Sequence, residues 1–238
     1  MLVASNLTKI YGNQVALKGL NLEISPGEVF CLLGANGAGK STTIKLFLNL
    51  IQPTSGAIQI DGLEHQDAPE KTKSLLGYIP EQVALYPRLS GLENLRYFAS
   101  LSGESKLSRI RLVEALSHAG LPVEAVDKQA RNYSKGMRQK VVIALALIRQ
   151  IKGLLLDEPT SGLDPQAAYE FGQTLRRLSE KGVAILMASH DLHHARECAT
   201  RIGIMRQGEL VETFSASDVE HTELVQRALT MMQGPQTD

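Results

Sequence analysis

Short apolar runs alternate with stretches of helical periodicity along this chain. The apolar runs are Val29–Gly34, Ala57–Asp61, Leu75–Ile79, Gly153–Asp157, Val183–Ser189, Arg201–Met205 and Glu209–Phe214. Brief, almost wholly apolar segments separated by helix predict a mainly parallel sheet with helices packed on it. A further strand near Leu20–Ile24 is bounded by Pro26-Gly27, and Ala57–Asp61 follows Thr54-Ser55-Gly56, so these two are expected to form antiparallel meander. Arg206-Gln207-Gly208, between the last two runs, is a tight hairpin signal.

From about 86 to 150 the pattern turns helical. Ser90-Gly91-Leu92-Glu93 has the spacing of a capping box, and Leu95, Phe98 and Leu101 follow on what should be one face. Ile110, Val113 and Leu116 repeat that spacing until Gly120, and Met137–Arg149 is apolar on almost every side beyond Val141. The expected architecture is an α/β core with an antiparallel β subdomain and an inserted α-helical subdomain. Core and β subdomain fall at about 1–85 and 151–214, the helical subdomain at about 86–150. An amphipathic C-terminal helix is expected at about 215–232, carrying Leu224, Val225, Ala228 and Leu229.

Composition narrows the choice of partners. A chain of 238 residues suits one domain with an insertion, and 25 basic residues against 25 acidic ones disfavour nucleic acid or an anionic lipid surface as main partner. Cys31 and Cys198 are the only cysteines, which excludes a disulfide framework and a four-cysteine zinc site and fits a reducing cytosol. Met1–Lys9 lacks a basic-then-apolar layout, so no signal peptide is expected. The longest apolar run, Val141–Ile148, is far short of the roughly 20 residues that span a bilayer.

Two segments carry chemistry. Gly34-Ala35-Asn36-Gly37-Ala38-Gly39-Lys40-Ser41-Thr42 follows an apolar strand, opens a helical stretch at Thr43–Leu50, and matches the pattern of a phosphate-binding loop. Glycines are needed where polyphosphate crowds the backbone, and the helix N-terminus faces the anion. Lys40 would meet the β- and γ-phosphates, and the Ser41 hydroxyl a Mg²⁺ ion. The second segment, Gly153-Leu154-Leu155-Leu156-Asp157-Glu158, is an apolar strand ending in two carboxylates. Burying a charge without a partner is costly, so Asp157 is expected to reach the Mg²⁺ of the nucleotide. Strand alternation turns Glu158 the other way, to orient or deprotonate a water.

These residues resemble the nucleotide-binding subunits of ABC transporters, P-loop NTPases with a RecA-like core, over nearly the whole chain. Asp157-Glu158-Pro159-Thr160-Ser161-Gly162-Leu163-Asp164-Pro165 is similar to that family's Walker B segment and D-loop run together, which gives Asp164 a place at the nucleotide. Gln82, by itself a solvated loop glutamine, falls where the family's Q-loop residue contacts Mg²⁺ or the attacking water. His190, after Val183–Ser189, resembles the switch histidine, and Tyr11, otherwise a surface tyrosine, resembles the aromatic that stacks on adenine. Tyr133-Ser134-Lys135-Gly136-Met137 stands in place of the family signature, usually Leu-Ser-Gly-Gly-Gln, and keeps Ser134 and Gly136. His193 and His194 diverge by about 100° on a helix and are rejected as joint metal ligands.

The resemblance implies an ATPase that binds ATP and Mg²⁺ with Glu158, His190 and Gln82 as its catalytic set. It implies a second ATPase subunit, a homodimer being expected, that completes each site through Ser134–Gly136. It further implies a membrane-spanning partner, a peripheral position on the cytoplasmic face of the membrane, no direct nucleic-acid contact, and, from the signature variant, export. The competing expectation is a soluble ATPase of the same family acting on ribosomes or DNA. The single nucleotide-binding unit, the absence of a heptad run and the neutral charge weigh against it.

Overall fold

The computed structural model describes residues 1–217. Among the described residues ten strands form two sheets: β1 (Leu2–Tyr11), β2 (Gln14–Ile24), β3 (Val29–Leu33), β4 (Ser55–Ile60), β5 (Leu63–Glu64), β6 (Leu76–Ile79), β7 (Gly153–Asp157), β8 (Ala184–Ser189), β9 (Arg201–Arg206) and β10 (Glu209–Ser215). The helices are α1 (Lys40–Phe47), α2 (Pro69–Ser74), α3 (Gly91–Leu101), α4 (Arg109–His118), α5 (Lys135–Arg149), α6 (Pro165–Ser179) and α7 (Leu192–Cys198).

The larger sheet runs β10-β9-β3-β8-β7-β6, parallel from β9 to β6, with β10 antiparallel at one edge. Its central strands are apolar on both faces because both faces are covered. Val29, Cys31 and Leu33 of β3 pack into one core with residues of α3, α4, α5, α6 and α7. Phe30 and Leu32 pack into a second core with Ile44 and Phe47 of α1 and with the smaller sheet. Helix α1 thus lies between the two sheets, and the loop before it is held between them.

The smaller sheet is antiparallel but is not the expected simple meander. Its order is β2-β1-β4-β5, so β1 separates β2 from β4. Strand β1 escaped the sequence reading because its alternation is broken. Its pairing with β2 shifts register between Ala4 and Leu7 and again on either side of Lys9, and Asn6 has a left-handed backbone. The hairpin at Gln207-Gly208 forms as expected, with φ of 49° and 84°, the two positive values that a two-residue turn between twisted strands needs. Gly208 N–H donates to the Ala38 carbonyl and its own carbonyl accepts from Lys18, so this turn braces the phosphate-binding loop.

The capping box at α3 forms: Ser90 Oγ accepts from Glu93 N–H, and the Glu93 carboxylate accepts from Ser90 N–H at 2.7 Å. The expected helix faces need correction. Leu101 and Ile110 are exposed at 67% and 70%, and the buried positions are Leu92, Leu95 and Ala99 on α3 and Leu112, Ala115 and Leu116 on α4. Two successive steps of three residues fall about 120° short of two full turns, so a strict three-residue repeat walks off the apolar face. Ser215, the expected start of the terminal helix, ends β10, and Ala216 and Ser217 form a turn. The remainder of that expected helix lies outside the described residues.

Candidate nucleotide site

The loop Gly34–Gly39 connects β3 to α1, which begins at Lys40 rather than at the expected Thr43. Lys40 and Ser41 therefore stand in the first turn of the helix. Gly39 is the N-cap and offers no side-chain acceptor, so the first-turn amides have no capping group from the residue that usually supplies one. That end of α1 is a seat for an anion.

Sequence dictates this shape through its glycines. A Cβ on Gly34 would sit 2.5 Å from the Met205 carbonyl oxygen. Gly39, at φ +109°, would place one 2.7 Å from the Ala16 carbonyl oxygen, whereas Gly37, at φ +81°, has open space around it. We expect Gly39→Ala to lower stability by about 1–3 kcal/mol, and Gly37→Ala by less because it carries conformational strain alone. Thermal unfolding of the two variants checks the ranking; equal midpoints would contradict it.

Lys40 is 5% exposed, and its ammonium donates to the carbonyls of Gly34 at 2.6 Å and Ala35 at 3.1 Å. It also lies 3.8 Å from a Glu158 oxygen. Burial lowers the Lys40 pKa, and the charges of Glu158 and Asp157 work against that shift. Ser41 Oγ donates to Asp157 Oδ1 at 3.0 Å. Burial raises the Asp157 pKa, the Ser41 hydrogen bond opposes this, and neighbouring Glu158 adds to the rise. A carboxylate pushed upward beside a serine hydroxyl, at the mouth of a phosphate-binding loop, fits a divalent cation that would restore its charge balance.

Strand alternation misleads for Glu158. It lies one residue beyond β7 with a left-handed φ of 47°, and this turns it back so that both acids line the same cavity. Its second oxygen lies 2.9 Å from His190 Nδ1 and accepts from the His190 backbone N–H at 3.4 Å. A lysine and a histidine thus hold the carboxylate from two sides.

The cavity, of about 350 Å³, is lined by Tyr11, Asn36, Gly37, Gly39, Lys40, Ser41, Thr42, Asp157 and Glu158 among the expected residues. Gly34, Ala35 and Ala38 complete the loop without lining the cavity. Tyr11, 44% exposed at the tip of the β1–β2 hairpin, has the Lys9 ammonium 4.9 Å from its ring centre. Gln14, Ala16 and Glu81 also line the cavity and were not anticipated; nothing in their local sequence marks them. Gln82 is exposed, and its neighbour Glu81 takes the place on the wall.

The signature segment does not join this cavity within one chain. Ser134 caps α5, its hydroxyl accepting from Met137 N–H at 3.3 Å, and Asp164 caps α6, accepting from Ala167 N–H at 2.9 Å. A Cβ on Gly136 would meet only Leu163 and Ala167, at 3.9 and 4.0 Å, so no described neighbour in this chain requires glycine there. His193 and His194 lie on α7, facing Glu197 and Asp191. Cys31 is fully buried, and burial pushes its thiol up, as it does that of Cys198 to about 11, which leaves neither a ready nucleophile.

Comparison with known proteins extends these observations. A family model described as "ABC transporter" matches residues 17–161. The linearmycin resistance ATP-binding protein LnrL of Bacillus subtilis is 36% identical, with 92% of this chain and 70% of that one aligned. The bacitracin transport ATP-binding protein BcrA of Enterococcus faecalis is 38% identical over 90% of this chain and 69% of its own. Among solved structures, the ATP-binding cassette MJ0796, in a dimeric post-hydrolysis state bound to ADP and Pi, superposes with a TM-score of 0.79 at 30% identity, covering 91% of this chain and 99% of that chain. The cbiO1 subunit of a Clostridium perfringens transporter complex gives 0.83 at 28% identity, covering 95% and 93%.

Proposed function

The chain belongs to the ABC transporter family, as an ATP-binding subunit with ATPase activity, and on that premise we propose that two copies close on ATP to drive export through a separate membrane-spanning protein. The observation that carries the catalytic part is the convergence of the phosphate loop, the Ser41–Asp157 pair and the Lys40–Glu158 pair on one cavity, with His190 against Glu158 at its edge rather than in its lining. The β- and γ-phosphates would draw the Lys40 ammonium from the carbonyls it holds, and the amides of α1 would face the same oxygens. Ser41 and Asp157 would hold Mg²⁺, with Gln82 able to approach from its loop; the ion supplies neutralisation of charge on the phosphates. Glu158 accepts a proton from the attacking water while His190 keeps the carboxylate oriented. Water oxygen bonds to the γ-phosphorus, the bond to the β-phosphate oxygen breaks, and ADP and phosphate leave.

Tyr11 would stack on the base. Removing an aromatic from beneath a base costs about 1–3 kcal/mol of binding. Tyr11→Ala should lose about that much affinity for ATP in an equilibrium titration, and Tyr11→Phe should keep most of it. Parent-like binding by the alanine variant would remove Tyr11 from the site.

Ser134, Gly136 and Asp164 are placed here as the surface that a second copy's ATP meets. Support comes from Gly136, since glycine within the first turn of a helix costs about 0.5–1 kcal/mol against alanine and no described residue of this chain requires it. A close approach from outside the chain explains it. For the membrane partner, an apolar groove of about 190 Å³ lies between the segment after β6 and helices α3 and α5, lined by Val83, Leu85, Leu95, Phe98, Val142 and Leu145 among others. No helix among the described residues is long and apolar enough to cross a membrane. A membrane-spanning subunit docked in that groove would place the chain peripherally on the cytoplasmic face. Capture of the tagged chain from detergent-solubilised membranes, followed by mass spectrometry, tests this. A multispan protein at about one-to-one stoichiometry supports a transporter, while ribosomal proteins in its place would move the chain to a soluble role.

A further inference from the structure

We propose that Lys135 is a positioning residue for hydrolysis, which together with Gln139 clamps the loop after Glu158 onto α5 so that the helical lobe sets where Glu158 stands. The proposal rests on the functional reading above. Lys135 and Gln139 are four residues apart on α5 and therefore share one face of it. Lys135 Nζ donates to the Ser161 carbonyl, and Gln139 Nε2 donates to the Pro159 carbonyl at 2.6 Å. These two acceptors stand one and three residues beyond Glu158.

Other ties hold the loop as well: Glu158 N–H donates to the Ala188 carbonyl of β8 at 3.0 Å, and Thr160 is buried. Within the loop, Ser161 N–H reaches the Glu158 carbonyl at 3.3 Å and Leu163 N–H the Thr160 carbonyl at 3.1 Å, and Pro159 has no N–H to give. Gln139 is fully buried and its Oε1 finds no partner, so the bond to Pro159 offsets only part of the cost of burying the amide. Lys135 is half-buried, and burial lowers its pKa while the charges of Glu81 and Glu158 oppose that shift. A glycine at this place could make no such bond. This chain therefore ties α5 to the loop by a side chain, and any displacement of α5 against the core is felt within three residues of the carboxylate.

The test compares Lys135→Met, Lys135→Arg and Lys140→Met in the full chain. Lys140 is a control, since it comes from the same helix but pairs with Glu170 on α6 at 3.2 Å. Steady-state ATP turnover, equilibrium binding of a fluorescent ATP analogue and thermal unfolding are measured for each. Lys135→Met should lower kcat by about tenfold with analogue affinity within about twofold of the parent, because misplacing a reacting group acts on the chemical step. Lys135→Arg should recover most of the rate, and Lys140→Met should leave it unchanged. Parent-like kcat in Lys135→Met overturns the proposal. So does a joint fall in kcat, affinity and unfolding midpoint that arginine does not rescue, since that describes packing alone. A parent chain that neither binds nor hydrolyses ATP overturns the functional reading beneath it, and that result appears before any variant is made.

Discussion

Glu158→Gln should abolish turnover while leaving ATP binding intact. The carboxylate is held between Lys40 and the His190 ring, so an amide of the same shape can take its place with little disturbance to the loop. It cannot accept a proton. Loss of a general base costs about 10²–10⁴-fold, and turnover should fall by at least about 100-fold. Affinity should hold or rise slightly, because a negative charge has been removed from beside the bound phosphates and from the Lys40 ammonium that must reach them. Steady-state phosphate release set beside equilibrium nucleotide binding checks both halves. Unchanged turnover would take the proton-accepting role from Glu158.

Lys40→Ala should act on binding instead. Its ammonium satisfies two loop carbonyls within a space that is almost closed to solvent. Removing it deprives the phosphates of a charge-assisted donor worth about 1.5–3 kcal/mol, or roughly 10- to 100-fold in ATP affinity. The Gly34 and Ala35 carbonyls also lose their donor, so the nucleotide-free chain should unfold at a lower temperature. Glu158→Gln retains both of those bonds and should not share that loss. Nucleotide titration and thermal unfolding of the two variants side by side separate the roles; normal ATP affinity in Lys40→Ala would contradict the phosphate-loop assignment.

Much of the central sheet was legible because burial on both faces writes strands as unbroken apolar runs. The expected Gly153–Asp157 coincides with β7, and Val29–Gly34 and Val183–Ser189 each differ from β3 and β8 by a single residue at one end. The smaller sheet was harder to read. Bulges in β1 interrupt the two-residue period, and the order of β1 between β2 and β4 is a tertiary choice that no local pattern records. On the helices, the capping box was readable from four residues, but the buried face was not readable from a three-residue repeat.

The phosphate loop was visible as a contiguous motif whose glycines answer to particular clashes, at the Met205 and Ala16 carbonyls. Glu158 was expected at the site and lines the cavity, but its geometry was mis-aimed, because a left-handed residue after a strand reverses the side that alternation assigns. Gln14, Ala16 and Glu81 reach the cavity only through the fold. The link from Lys135 to Ser161 joins segments 26 residues apart and likewise depends on where α5 is packed.

The central claim is that ATP is bound between two copies of this chain and hydrolysed there. Native mass spectrometry of the Glu158→Gln chain incubated with ATP and Mg²⁺ tests it most directly. A species of two chains carrying two ATP molecules is expected, lost when Ser134→Arg is added. A monomer holding one ATP, or a dimer that forms equally well without nucleotide, would contradict it.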